Sequence, residues 1–239
     1  MTKTRTLVPL ALAVAFATNA SAACLSDAQA AELAAHYLSR QPAANPEGLS
    51  DADGACTRAK LNALLAPRLG KVVGYKAGLT NPAVQKRFNT DKPVWGKLYE
   101  GMVLENGATV EAAFGARPLY EADMLVRVKS AAINQARTPM EVLEAIDQVI
   151  PFIELPDLVV QAPPKLNGAA ISAINVGARL GVAGAPLAVP VLRAERYALL
   201  DALRDMQVRL QDGSGAVLGA GKGSDILEHP LNAVVWLAG

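Results

Sequence analysis

The order of helical and β-type segments along the chain is the feature that most restricts its fold. Residues 94–128 contain short runs of β-prone residues separated by glycines, whereas residues 25–40 and 52–65 carry helical patterns. A further strand pattern covers residues 148–155, and an apolar helix is predicted at residues 169–180. Because helices and strands do not alternate regularly, a wound βαβ protein is excluded and we predict an α+β fold.

The N-terminal segment has the pattern of a secretory signal. A positively charged start precedes an apolar run at residues 7–17, and Ser21 and Ala22 supply small residues of the kind that a signal peptidase reads. The apolar run is too short to span a bilayer. We therefore predict a signal peptide over residues 1–22, cleaved after Ala22, and an exported, periplasmic protein that is not attached to a membrane after cleavage. The alternatives are a membrane anchor and a buried N-terminal helix.

Composition excludes several classes of partner. The chain has 23 Lys and Arg residues against 22 Asp and Glu residues, a formal net charge of +1, so it offers no field that attracts nucleic acid or anionic lipid. Two histidines and two cysteines are too few for a zinc cluster of Cys and His. With 51% hydrophobic residues the chain can bury a sizeable core. A globular protein that acts on small molecules remains.

The two cysteines, Cys24 and Cys56, both remain after the predicted cleavage. Export would take them into a compartment in which thiols are oxidised. Each lies close to the start of a predicted helix, so packing of these helices as neighbours would allow a disulfide bond between them. The alternative is lipidation of Cys24, because the residues before it faintly resemble a lipobox. Ser21 replaces the usual large aliphatic residue there, which favours the disulfide.

Three acidic residues interrupt otherwise apolar strand patterns. Glu121 and Asp123 are two residues apart, so their side chains project from the same face of a strand, about 7 Å apart. Glu154 lies within the hydrophobic run of residues 148–155. Adjacent carboxylates repel each other unless a cation or a proton lies between them, and three hard oxygen ligands suit Mg²⁺ or Mn²⁺. The alternative is that Glu121 and Asp123 face solvent and that Glu154 pairs with an arginine.

Lys76 lies in a predicted strand, residues 71–78, with Gly74 and Gly78 on either side. A lysine at such a position can neutralise a substrate carboxylate or donate a proton. The alternative is a solvated strand lysine, since most lysines are exposed. The residue pattern is compatible with both.

Four ordered motifs of the chain resemble those of the 2-keto-4-pentenoate hydratases, which belong to the fumarylacetoacetate hydrolase superfamily together with the 4-oxalocrotonate decarboxylases. The motifs lie within residues 61–238 and read GYKAGLTNPAVQKRFNTDKPVWGKLYEGM, ARPLYEAD, VIPFIEL and GAGKGSDILEHPLNAVVWLA. The resemblance implies a mixed β-roll fold, a homo-oligomer and a divalent metal that chelates a small 2-oxo acid substrate. The helical patterns of residues 25–40 and 52–65 predict an N-terminal helical region at residues 23–70, and the resemblance implies a hydratase-like β-roll domain at residues 71–239.

The resemblance assigns roles to five residues. Glu121 and Asp123 match the Glu-x-Glu motif of the family and Glu154 matches its Pro-x-x-Glu motif, so these three would hold Mg²⁺ or Mn²⁺. Lys76 matches the lysine of the Gly-x-Lys-x-Gly-Leu-Thr motif and would act in catalysis and substrate binding. Asp91 would relay protons or orient Lys76. Asp123 is one methylene shorter than the glutamate of the family.

The activity that the resemblance implies is metal-dependent addition of water to a 2-hydroxy-2,4-dienoate or 2-oxo-alkenoate. Decarboxylation of a 2-oxo-diacid requires the same stabilisation of an enolate, and the motifs do not separate the two reactions. A third hypothesis is an exported relative that binds a small acid or a metal, or serves only as a scaffold, without turnover. It arises because family members continue for about 50 residues beyond the final motif, a length of several strands with their loops, so that the β-roll domain would be incomplete at its C-terminus.

Overall fold

The computed structural model describes residues 24–239, and the predicted signal peptide therefore lies outside the described residues. The helices of this part of the chain are α1 (Asp27–Ser39), α2 (Asp51–Leu69), α3 (Pro82–Arg87), α4 (Pro139–Ala145), α5 (Gly168–Ala173), α6 (Arg193–Asp205) and α7 (Pro230–Ala238). Its strands are β1 (Val72–Gly78), β2 (Val94–Tyr99), β3 (Val103–Leu104), β4 (Glu121–Val128), β5 (Ile146–Leu155), β6 (Leu180–Ala183), β7 (Leu187–Ala188), β8 (Gln207–Gln211) and β9 (Val217–Lys222). The irregular order of these elements confirms the predicted α+β class.

The two N-terminal helices, α1 and α2, each begin with a capping box. The Ser26 side chain accepts a hydrogen bond from the backbone N–H of Gln29, and the Gln29 side chain accepts one from the backbone N–H of Ser26; Ser50 and Asp53 make the same pair of bonds at the start of α2. These caps set the helix starts close to the positions predicted from the sequence. Within residues 24–239, no helix combines the length and the hydrophobicity that a membrane-spanning segment needs.

Cys24 and Cys56 form a disulfide bond, with their Cα atoms 5.7 Å apart, that joins the segment before α1 to α2. We expect replacement of both cysteines by serine to lower the free energy of unfolding by about 2 kcal/mol, since the crosslink restricts the unfolded chain. Urea denaturation of the double variant and of the oxidised protein measures the difference, and equal midpoints would contradict the expectation.

A five-stranded mixed sheet lies at the centre of the molecule. Its strands follow the order β3-β6-β5-β4, with β7 paired to β5. Strands β3 and β6 are parallel, whereas the other neighbours are antiparallel. Strand β1 pairs with β2, and β8 with β9, as two separate antiparallel ribbons. Strand β5 is thus paired on both sides and carries Glu154 into the interior.

The sheet separates two hydrophobic cores. One contains residues of α1, α2, β2 and α5, and the other contains residues of α4, α6 and α7. Strand β4 contributes to both, because its successive side chains point to opposite faces: Leu125 packs against the first core and Met124 and Val126 pack against the second. Glu121 and Asp123 alternate in step with Leu125, so they project toward the side of the first core.

The apolar segment predicted as one helix at residues 169–180 is interrupted, and this prediction is wrong over its second half. Helix α5 ends at Ala173, and Asn175, Val176 and Gly177 have φ angles of 54°, 56° and 66°. A left-handed backbone cannot continue a right-handed helix. Strand β6 begins at Leu180 instead. The turn brings the backbone of Val176 onto β1, where it contributes to the site described next.

Candidate active site

An open cleft of about 1780 Å³ lies between β1 and the end of the central sheet where β4 and β5 meet. Lys76 of β1, Glu121 and Asp123 of β4 and Glu154 of β5 line it. Helix α7 contributes apolar side chains, such as that of Leu237, to another wall. A cleft with a charged cluster and an apolar wall suits a small organic acid that has a hydrocarbon part.

The pairing of β4 with β5 brings the three acids together. Glu121 lies directly opposite Glu154, and Asp123 lies opposite Phe152. Opposite residues of an antiparallel pair project to the same side, so the three carboxylates share one face. Glu154 and Phe152 are buried, whereas Glu121 and Asp123 are accessible from the cleft. Glu121 and Asp123 therefore face solvent, as the alternative interpretation held, but they face the solvent inside the cleft.

Lys76 is the positive partner of this cluster. Its ammonium group donates hydrogen bonds to the carboxylate of Glu154 and, over 3.2 Å, to the backbone carbonyl of Val176. The side chains of Lys76 and Glu154 are only 10% and 5% exposed. Lys76 is therefore not a solvated surface lysine, and Glu154 pairs with this lysine rather than with an arginine.

Loss of hydration, together with the crowding of negative charge, raises the pKa of both accessible acids. Loss of hydration between the cleft walls is the largest cause for Glu121, and the charge of Glu154 adds to it, so the pKa of Glu121 lies above its ordinary value. The same two causes raise the pKa of Asp123 to about 6. The Lys76 ammonium opposes both shifts without cancelling them. A divalent cation would relieve this repulsion, and it would compete with protons below about pH 6.

The donor set fits a divalent metal in its chemistry, because carboxylate oxygens are the ligands that Mg²⁺ and Mn²⁺ prefer. The three carboxylates do not form a preformed site, since no group of three possible ligand side chains in residues 24–239 is arranged to hold an ion. Asp123 Oδ1 accepts a hydrogen bond of 2.7 Å from the backbone N–H of Met124, and Glu154 is held by Lys76. Metal binding by Glu121, Asp123 and Glu154 would exchange these contacts for ligation.

Asp91 is not brought together with the other predicted site residues. It lies in the loop between α3 and β2, is exposed, and borders a shallow surface depression beside Pro82 and Asn89 rather than the cleft of Lys76. The structure therefore offers no contact through which Asp91 would orient Lys76, and its catalytic role stays a prediction without geometric support.

Two contributors to the site escape sequence reasoning. The carbonyl of Val176 contacts Lys76 from a turn that was predicted to be helical. The ring of Phe152 lies beside the acids, and it fits because a side chain at Gly181 would overlap it. Because Phe152 and Glu154 are two residues apart on β5 and so share a face, the strand pattern could have indicated Phe152. The Val176 contact depends on a turn that no local sequence pattern predicts.

The fold and the cleft together define a class: α+β proteins in which a mixed sheet presents carboxylates and a lysine to an open cleft. The structure is similar to that of 4-oxalocrotonate decarboxylase from Pseudomonas putida G7 complexed with magnesium and adipate, with a TM-score of 0.72 and 25% identity over 91% of this chain and 82% of that one. This similarity confirms the predicted β-roll of the fumarylacetoacetate hydrolase type.

Sequence comparison gives the same relatives. The chain is 30% identical over 168 residues to a 2-keto-4-pentenoate hydratase of Burkholderia vietnamiensis. The aligned residues cover 70% of this chain and 60% of the hydratase. It is 26% identical over 212 residues to a 4-oxalocrotonate decarboxylase of Pseudomonas putida. This alignment covers 87% of this chain and 75% of the decarboxylase. No family model matches the chain.

The chain belongs to the family of the 2-keto-4-pentenoate hydratases and 4-oxalocrotonate decarboxylases, within the fumarylacetoacetate hydrolase superfamily. Its matched part spans about 60% of the length of the first of these hydratases. The relatives are hydratases and decarboxylases, and one was solved with magnesium.

Lengthening Asp123 tests the metal assignment. We expect Asp123→Glu to bind Mg²⁺ about tenfold more tightly, because the added methylene carries the carboxylate away from the Met124 N–H and toward the cleft. Titration of the melting temperature with Mg²⁺ measures the change. Asp201→Glu, the same substitution on the exposed face of α6, is the matched control and should leave the titration unaltered. Weaker or unchanged binding by Asp123→Glu would contradict the assignment.

Proposed function

We propose that the protein is a divalent-metal-dependent lyase that adds water to a 2-hydroxy-2,4-dienoate or 2-oxo-alkenoate. The observation that carries the proposal is the juxtaposition, in one cleft, of Lys76 with carboxylates that lie opposite and beside one another on β4 and β5. The relatives named as hydratases support the same reaction class.

The charged cluster would bind the 2-oxo acid end of the substrate. Glu121, Asp123 and Glu154 would hold Mg²⁺ or Mn²⁺, which when bound supplies a Lewis acid that stabilises negative charge on the 2-oxygen. Lys76 carries the positive charge that neutralises the substrate carboxylate. The apolar wall that includes Leu237 would contact the hydrocarbon end and exclude bulk water from it.

The reaction consists of proton transfers around one addition of water. In 2-hydroxypenta-2,4-dienoate the hydroxyl proton is lost and a proton is added at C5, which gives a conjugated ketone. The oxygen of water then bonds to C4 as the water loses a proton, the C3–C4 double bond is lost, and C3 takes up a proton, so that the product is 4-hydroxy-2-oxopentanoate. Lys76 holds a proton at Nζ within the cleft and is oriented by Glu154, so it is placed to donate one of these protons.

A decarboxylase of the 4-oxalocrotonate type is the second candidate. The structural similarity to such an enzyme favours it, and so does the sequence alignment to a 4-oxalocrotonate decarboxylase over 87% of this chain, which is longer than the alignment to the hydratase. The bond to a carboxylate breaks, CO₂ leaves, and the electron pair remains as an enolate, so the same cluster would serve. The two reactions differ in product, since only decarboxylation releases CO₂.

The first test of the proposed function is a melting-temperature titration of the chain from Ala23 onward with Mg²⁺ or Mn²⁺, with and without oxalate. Oxalate mimics the chelating end of a 2-oxo acid, and a ligand that binds only the folded state raises its stability. A metal-dependent shift that oxalate enlarges supports the site. A protein that melts cooperatively without any shift would contradict the proposed metal site and favour a relative that serves only as a scaffold.

Turnover is then measured on two substrates in the presence of Mg²⁺. Loss of the dienol absorbance of 2-hydroxypenta-2,4-dienoate, with formation of the hydroxylated product, supports the hydratase. Release of CO₂ from 4-oxalocrotonate supports the decarboxylase. Metal binding without either reaction would overturn both.

We also propose that the protein is exported to an oxidising compartment, the periplasm. The signal pattern of residues 1–22 and the disulfide between Cys24 and Cys56 support this location. N-terminal sequencing of the protein from a periplasmic extract is expected to begin at Ala23. Recovery in the cytoplasm with an intact N-terminus and two free thiols would contradict it.

A homo-oligomer is the assembly that we propose. Large apolar side chains that are exposed in the single chain support it, among them Val191, Leu192 and Leu187, which are 84%, 64% and 59% exposed. Light scattering coupled to size-exclusion chromatography gives the mass in solution. A monomer at micromolar concentration would contradict the proposal.

A further inference from the structure

The turn at residues 174–177 has an unusual backbone. Asn175, Val176 and Gly177 all have positive φ angles, between 54° and 66°. Glycine and asparagine tolerate this conformation, whereas a β-branched residue such as Val176 rarely adopts it. Something outside the turn must therefore hold Val176 in place.

The side chain of Asn175 fixes the turn to β2. Its Nδ2 donates a hydrogen bond of 2.9 Å to the carbonyl of Lys97, and its Oδ1 accepts one of 2.8 Å from the Lys97 N–H. The amide thus bonds to β2 as the backbone of a neighbouring strand would. The close approach needs Gly96, because a Cβ there would lie 2.6 Å from the Asn175 carbonyl oxygen.

Helix α2 supports the same amide from the other side. Asn62 Nδ2 donates a hydrogen bond of 3.1 Å to Asn175 Oδ1, and both asparagines are buried. The Tyr99 hydroxyl donates a hydrogen bond to the backbone carbonyl of Asn62 over 3.3 Å. Because a buried amide gains from each bond that replaces water, this network holds the Asn175 side chain in one orientation.

The turn in turn fixes Lys76. The Val176 carbonyl accepts a hydrogen bond from Lys76 Nζ over 3.2 Å, and the Val176 side chain packs on Gly78, where a Cβ would overlap it. An ammonium group has three donors. The bonds to Glu154 and to Val176 use two of them, and the third is available to a molecule in the cleft.

We infer that Asn175, supported by Asn62, is a positioning residue that holds the Val176 carbonyl on the Lys76 ammonium and so orients this group in the cleft. The side chains of Asn175 and Asn62 make no hydrogen bond to Lys76, and the effect passes through the backbone of the turn. The inference rests on the proposed function only where turnover is the readout, since the placement of Lys76 is measurable without substrate or metal.

The test compares variants of Asn175 with a matched variant of Asn45. Asn45 also bonds through its side-chain amide to both backbone groups of one residue, Ala162, over 2.8 and 2.9 Å, and it does not line the cleft. Asn175→Ala removes the amide, and Asn175→Gly removes it while leaving a residue that favours positive φ. Asn45→Ala removes two equivalent bonds elsewhere, and Asn62→Leu removes the supporting donor.

The first readout is the rate at which an N-hydroxysuccinimide acetate acetylates Lys76, relative to the exposed Lys86, measured by mass spectrometry well below the melting temperature. We expect Asn175→Ala and Asn175→Gly to raise this ratio about fivefold, the effect of losing about one hydrogen bond. Asn62→Leu should raise it less, and Asn45→Ala should leave it unchanged although it also lowers the melting temperature.

The second readout is kcat/KM with Mg²⁺ on the substrate that the protein turns over. A decrease of about tenfold in both Asn175 variants, but not in Asn45→Ala, supports the inference, because misplacement of a catalytic group costs at least that much. A wild-type labelling ratio in both Asn175→Gly and Asn62→Leu would overturn it. If the parent protein has no turnover, the proposed function fails, and the labelling ratio decides the inference by itself.

Discussion

Replacing Asp157 with alanine is expected to lower the free energy of unfolding by about 3–5 kcal/mol, the cost of leaving a buried charge without its partner. The Asp157 side chain is fully buried and accepts hydrogen bonds from the backbone N–H groups of Ala116, Arg117 and Val159 at 3.1, 2.7 and 3.1 Å. It also pairs with Arg179 over 3.3 Å. The variant leaves three backbone donors and a guanidinium group without this acceptor.

The matched control is Asp147→Ala. Asp147 pairs with Arg127 through two hydrogen bonds of 2.8 and 2.7 Å, but both side chains are more than a third exposed. Water replaces such a pair, so we expect a loss of less than about 1 kcal/mol. Urea denaturation at pH 7 gives both values. Similar losses for the two variants would show that Asp157 does not organise the loops around it.

The strand pattern was enough to predict which acids share a face. Glu121 and Asp123 alternate with apolar residues along β4, and this period of two fixes their common side whatever the partner strand is. The position of Glu154 opposite Glu121 depends on the register of β4 with β5, which cannot be read from the sequence. The family resemblance implied only that the three acids bind the same metal. The disulfide partners were predictable because the chain has two cysteines.

Non-local contacts decided what sequence reasoning missed. The composition of residues 169–180 favours a helix, but bonds from Asn175 to Lys97, far away in the chain, stabilise a left-handed turn instead. Local propensity cannot weigh such tertiary contacts.

A role implied by the family resemblance does not guarantee that a residue lies near the other site residues. The resemblance assigns roles to Asp91 and Lys76 alike, yet Asp91 lies in an exposed loop away from the cleft. The difference is physical: Lys76 belongs to a paired strand that the turn at Val176 holds in place, whereas Asp91 belongs to a connection between α3 and β2.

Replacing Glu121 with alanine is expected to lower kcat/KM by about 1,000-fold, the upper range for removal of one electrostatic group from an active site. The metal-dependent rise in melting temperature should be lost with it. The metal-free protein should be as stable as the parent or slightly more stable, because the charge of Glu154 and the loss of hydration already disfavour an ionised Glu121. Functional residues often lower the stability of the ligand-free protein and raise it when the ligand is bound.

The control is Glu105→Ala, which removes an exposed carboxylate that does not line the cleft and should alter neither readout. Loss of turnover with the metal response intact would make Glu121 a substrate contact rather than a metal ligand. Retention of both would remove Glu121 from the site altogether. A parent protein that responds to metal and has no turnover, with a response that Glu121→Ala abolishes, would identify a metal-binding relative without catalysis, because the carboxylates would then hold the ion without a reaction.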